Sequence, residues 1–187
     1  ASLSLAGLLM QTLFRNPLAG PYLLGISSGA GLGVALLVMG AGVIGISLSS
    51  QLSFNAAAIG GSLAMMTILF VVSFKVKDIM TLLIFGVMMG SIATAIIGLI
   101  QFFTSAFQLK SFIIWTLGSL SAVSYGELAF LSVVLVSSSL FMIAQYKGLN
   151  AILIGEDFAK MLGIKILSIR LSIIIVTGIL AGLITAF

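Results

Sequence analysis

Apolar runs of about 20 residues, broken by short clusters of charge, set what this chain can become. A helix rises ~1.5 Å per residue, so about 20 residues cover a hydrocarbon core of ~30 Å. Of 187 residues, 61% are hydrophobic and 6% are charged, whereas a soluble domain carries about 25% charge. Transmembrane strands would instead alternate polar and apolar residues over ~10 positions, a pattern the runs do not follow. The implied fold is an all-α membrane protein, a polytopic transmembrane helix bundle.

Charges and turn residues divide the chain into segments at about 1–14, 22–46, 54–74, 79–103, 128–146 and 166–187, with a shorter apolar piece at 112–123. Whether 112–123 crosses decides every later orientation. If it does not, Arg15, Lys75, Lys77, Lys147, Lys160, Lys165 and Arg170 share one face and only Lys110 lies opposite. Lysine and arginine excess marks the cytoplasmic side. The reading adopted is therefore six membrane segments, with 112–123 lateral on the outer side and Trp115 and Tyr125 as interface anchors. The same distribution argues against nucleic acid as partner, because the basic residues flank apolar runs and suit membrane lipid. Both ends of the chain fall inside apolar runs, and the chain is expected to be incomplete at both.

Chemistry-bearing residues are scarce. There is no Cys and no His, and the four acids, Asp78, Glu127, Glu156 and Asp157, all lie outside the apolar runs. No nucleophile–base pair, metal cage or cofactor site is expected, and proton coupling through an intramembrane acid has no candidate. Small residues recur at four-residue spacing, at Gly25–Gly29–Gly33, Ala56–Gly60–Ala64, Gly86–Gly90 and Gly178–Gly182–Ala186. Such ridges let helix backbones pack closely. Ser91, Thr94, Gly98 and Gln101 make a polar or small stripe that either lines a wet passage or bonds neighbouring helices.

The connection at 147–165 is distinctive. Glu156 and Asp157 suit the first turn of a short helix that ends near Gly163. Phe158, Met161 and Leu162 then make an apolar face on a loop expected to be solvated. That face suits either a cytoplasmic partner or the membrane interface.

Three stretches carry a family resemblance. The run from Met10 to Ala30, including Arg15, Asn16, Pro17, Leu18, Pro21, Gly25, Ser27, Ser28 and Gly29, closely resembles the signature of FecCD-type permeases. Trp115-Thr116-Leu117-Gly118-Ser119-Leu120-Ser121 resembles that family's W-x-x-G-S segment. The run from Leu153 to Ile164 resembles its L-G-E-x-A-x-x-L-G-V region, with Ile154 and Asp157 as departures. The resemblance implies the membrane subunit of a type II ABC importer in a bacterial cytoplasmic membrane, passing iron-siderophore, heme or vitamin B12. Its implied partners are an ATPase dimer, a periplasmic or lipoprotein substrate-binding protein and a second permease, identical or different. It implies no cofactor and no catalysis by this chain. Gly155, Glu156, Asp157, Phe158, Ala159, Met161, Leu162 and Gly163 would form coupling helices, and 79–103 would help line the passage. The family's chains continue through a G-P-I-G-F-V-G segment and three further spans, so half of the passage is expected to lie beyond these residues. A sodium-coupled secondary transporter half and a non-transporting scaffold are the rival readings.

Overall fold

The structure, a computed structural model, describes residues 1–44, 51–76, 78–118 and 123–186, with side chains described outside 39–44 and 51–52. The described elements are helices: α1 (Ser2–Phe14), a 3-10 turn (Pro21–Leu24), α2 (Ile26–Ile44), α3 (Gln51–Lys75), α4 (Ile79–Phe102), α5 (Ala106–Leu117), α6 (Tyr125–Ala144), α7 (Tyr146–Ile154), α8 (Glu156–Met161) and α9 (Ile166–Ala186). Among the described residues, α3, α4, α6 and α9 are long and apolar enough to cross a membrane. In hydrocarbon the backbone must satisfy its own hydrogen bonds, which is why these runs form helices.

The bundle is built around α2, which packs against α3, α4, α5 and α9. Lipid gives no hydrophobic drive for helices to associate, so close van der Waals contact must do it. Glycine supplies that contact. A Cβ at Gly29 or Gly33 would collide with the backbone of Gly61 or Ala57, and one at Gly25 would meet Gly86 and Gly90. Gly178 and Gly182 of α9 similarly receive Met66 and Ser62 of α3. Ala186, on the same ridge, is buried.

One expected ridge is corrected. Ala56, Gly60 and Ala64 are exposed, and a Cβ at Gly60 would meet nothing. The contact face of α3 lies one residue further on, through Ala57, Gly61 and Met65. Four-residue spacing marks small ridges on either face, and it does not say which face meets a neighbour.

Two segment boundaries also change. The segment expected at 22–46 starts with the 3-10 turn, and α2 begins only at Ile26. Ile26 lies level with Gly178 and Gly182 in α9. Arg170, nearer the start of α9, donates to the Val76 carbonyl in the α3–α4 turn. The eight residues from Arg170 to Gly178 rise about 12 Å, so α2 begins well inside the bundle. The lateral piece expected at 112–123 is α5, which starts at Ala106 after its N-cap Ser105 and ends at Gly118. Twelve residues reach about 18 Å, too short to cross.

Both ends of the 103–124 connection lie at one end of the bundle. Glu127, in the first turn of α6, accepts a long 3.5 Å hydrogen bond from Asn55 near the start of α3. At its other end α6 meets α9, where Gln145 donates to Ser172. The topology therefore gathers Arg15, Lys75, Lys147, Lys160, Lys165 and Arg170 at one end, and Lys110 at the other; Lys77 lies outside the described residues.

The corrected register predicts a contrast between neighbours. Gly61→Leu should cost about 1–3 kcal/mol or more through overpacking, while Gly60→Leu should change stability little. Unfolding in detergent micelles, followed by helix content, measures both.

Candidate functional site

Residues 15–25 leave α-helical geometry between α1 and α2, passing from the exposed Arg15–Leu18 to the buried Leu24 and Gly25, and signature side chains shape that path. Arg15 takes a left-handed conformation (φ 48°) that ends α1. Asn16 accepts from the Leu18 amide through its side chain, an Asx turn, and Gln11 donates to the Pro17 carbonyl. Pro21 opens the 3-10 turn, and Gly25 closes it at φ 68°. Irregular backbone at membrane depth is tolerated when enclosed by protein or lining a cavity. Here Leu24 is fully buried, and Leu23 and Leu24 lie against Gly86 of α4.

Where this segment meets α4 there is a groove of about 530 Å³. Tyr22 and Ser28 line it from the signature side, and Gly86, Gly90, Ser91 and Thr94 from α4. The structure thus brings together two sets of residues that are far apart in sequence. The stripe divides: Ser91 and Thr94 border the groove, whereas Gly98 and Gln101 are not among its lining residues. Ser91 donates to the Val87 carbonyl and Thr94 to the Gly90 carbonyl, each within its own helix. These bonds engage the hydroxyl protons within α4 and leave the hydroxyl oxygens free to accept. Ser27 points elsewhere, pairing with Thr185 of α9 at 3.1 Å.

The basic end carries the second cluster. The short helix expected from Glu156 is α8, and a further helix, α7, precedes it across Gly155. Helix α7 was not legible because Lys147, Gly148 and Asn150 break the apolar pattern over Tyr146–Ile154. Helix α8 begins at Glu156, as its two acids imply, and Gly163 sits beyond its end at φ 73°. Ala159 is buried against Ala151 and Ile152. Phe158, Met161 and Leu162 are 43%, 87% and 58% exposed, an apolar face turned outward. Asp157 and Lys160 pair at 2.9 Å on the exposed side. The Lys160 ammonium bonded to Asp157 holds that carboxyl below its ordinary 3.8. A lowered carboxylate pKa means the pair stabilises α8 above that ordinary value and is lost as pH falls through the lower folded one. At neutral pH the pair is intact. Arg15 reaches this end too, its Nη1 lying 3.9 Å from where a Gly155 Cβ would be.

Arg170 departs from expectation most clearly. It lies at the expected basic end but is only 4% exposed. Its Nη2 lies 3.1 Å from Glu156 and its Nη1 donates to Val76 at 3.1 Å. An arginine four residues into an apolar run is the sequence signal, since burial there requires a partner. Residues 119–122, including Ser119, Leu120 and Ser121 of the tryptophan segment, lie outside the described residues. Trp115 itself packs near Phe112, with ring centroids 6.2 Å apart.

The fold and these two clusters define a polytopic membrane protein with an irregular segment that ends buried beside a groove and a helix pair at its basic end. The chain belongs to the FecCD transport family, whose model matches residues 1–187. It is 33% identical over 185 residues to a hemin transport system permease protein (HmuU) of Yersinia pestis, covering 97% of this chain and 54% of that one. It is 32% identical over 183 residues to a vitamin B12 import system permease protein (BtuC) of Citrobacter koseri, with the same coverage. A solved inward-facing structure, assigned to a metal-chelate type ABC transporter, superposes with a TM-score of 0.83 at 26% identity, covering 99% of this chain and 56% of that one. The chain spans about half the length of the relatives it matches.

If the groove is wet, a water-soluble thiol reagent should modify Ser91→Cys in membranes and spare Ala93→Cys, which is 2% exposed. The 187 residues contain no cysteine to compete. Equal protection of both positions would mark the groove as lipid-filled.

Proposed function

We propose that this chain forms part of the permease of an ABC importer in a bacterial cytoplasmic membrane, passing an iron-siderophore-like metal chelate, with heme or cobalamin as close alternatives. A partner ATPase dimer supplies the energy, a second permease completes the passage, and an external binding protein delivers the substrate. The single observation carrying this reading is the outward apolar face of α8, Phe158, Met161 and Leu162, at the basic end of the bundle. Lysine and arginine excess assigns that end to the cytoplasm, where an ATPase would be found.

In mechanism, Phe158 and Leu162 enter a cleft on the ATPase, and closure of the ATPase dimer displaces α8. Helix packing around α2 carries the motion to α4. The groove between Tyr22, Ser28, Ser91 and Thr94 then contributes one wall of a passage whose access alternates between the two membrane faces. Hydroxyl lone pairs and glycine backbone offer a neutral surface there, suited to moving a whole chelate without ligating its metal. Membership of the FecCD family and likeness to hemin and vitamin B12 permeases support a large, metal-bearing substrate.

Leu162→Asp, alone and with Met161→Asp, should weaken association with the ATPase by roughly 30-fold, the loss of one interface hot spot of about 2 kcal/mol. Membrane insertion should be unchanged. Co-purification of the full-length permease with its ATPase measures the first, and membrane fractionation the second. Uptake that requires ATP and survives collapse of ion gradients separates this function from sodium-coupled transport.

A further inference from the structure

Helix α8 is held to the bundle by a buried charge. Arg170, on α9, joins three elements: its guanidinium meets Glu156 at the first position of α8 and the Val76 carbonyl in the α3–α4 turn. Two residues beyond Val76, Asp78 caps α4 by accepting from the Thr81 amide. The Glu156 side chain is 30% exposed and that of Arg170 5% exposed. The bidentate reach of a guanidinium serves both acceptors at once, which a lysine ammonium on a single point cannot reproduce. Beside this pair, Ala159 is fully buried among Ile152, Ile164, Ile166 and Ile169. By contrast α6, the long helix leading into the α7–α8 pair, buries little of its length in the described bundle.

Buried ion pairs are weak contributors to net stability, and apolar replacements often serve as well. Stability alone is therefore a poor reason for this arrangement. We propose that Arg170 is a positioning residue for energy coupling. It clamps α8 to the base of α9 and to the α3–α4 turn, so that displacement of α8 is delivered to α9 and α4 rather than dissipated along α6. The route ends at the groove, because α4 carries Ser91 and Thr94. This inference rests on the reading of α8 as the ATPase contact.

The test uses the full-length permease with its ATPase in proteoliposomes, carrying Ser91→Cys as a reporter. The rate of thiol modification is compared without nucleotide and with ATP plus vanadate, normalised to the ATPase bound. Arg170→Lys and Arg170→Gln should each retain bound ATPase, and the response of Glu156→Gln is read per ATPase bound. Each should reduce the nucleotide-dependent change in rate by roughly tenfold, within the range of coupling between linked sites. Glu156→Gln keeps the arginine and its bond to Val76, so it remains informative if Arg170 variants fail to fold. An undiminished nucleotide response in Glu156→Gln overturns the clamp while leaving the importer reading intact. Absence of ATPase binding by the unsubstituted protein overturns both.

Discussion

Direct backbone contact between α2 and its neighbours is the interaction on which the rest depends. Gly25 lies on Gly86 and Gly90, while Gly29 and Gly33 lie on Gly61 and Ala57. In lipid, where apolar side chains gain nothing by meeting one another, such contacts supply the dispersion that holds a bundle together. They also fix α2 at a depth that leaves the end of its leading segment, Leu24 and Gly25, inside the protein. Leu24 and Gly25 can then depart from α-helical geometry while buried against Gly86 and Gly90. The groove at Tyr22, Ser28, Ser91 and Thr94 follows from the same contact, since α4 approaches closest where glycine replaces bulk.

The bundle is otherwise apolar, and its charges are concentrated where it ends. Exposed Ile84, Met88 and Leu99 on α4, and Val133, Val136 and Leu140 on α6, suit lipid or further helices. Helix α8 differs because its apolar face sits among Asp157, Lys160 and Lys165. An apolar surface rimmed by charge suits a protein partner better than bilayer interior. The Arg170 clamp then joins this surface to the elements that carry the groove.

Much of the bundle was legible in the sequence, because length and hydropathy are one-dimensional quantities. The starts of α4 and α9 at Ile79 and Ile166 agree with the expected segments, and the split of basic residues implied the non-crossing α5. The acids at Glu156 and Asp157 marked the start of α8. What failed was information about faces and neighbours. Periodicity could not distinguish the inward Gly61 ridge from the outward Gly60 ridge. It could not separate Ser91 and Thr94, on the groove, from Gly98 and Gln101, because the groove depends on where α2 lands. Nor could it show that Arg170 faces inward, since its partners Val76 and Glu156 lie 94 and 14 residues away.

The central claim is that α8 is a cytosolic handle on this membrane bundle. Lys160→Cys places a lone thiol among these 187 residues, on the exposed side of that helix. A membrane-impermeant maleimide should modify it in inverted vesicles and leave it untouched in intact cells. Ready modification in intact cells would put α8 outside and contradict the topology and the coupling mechanism together.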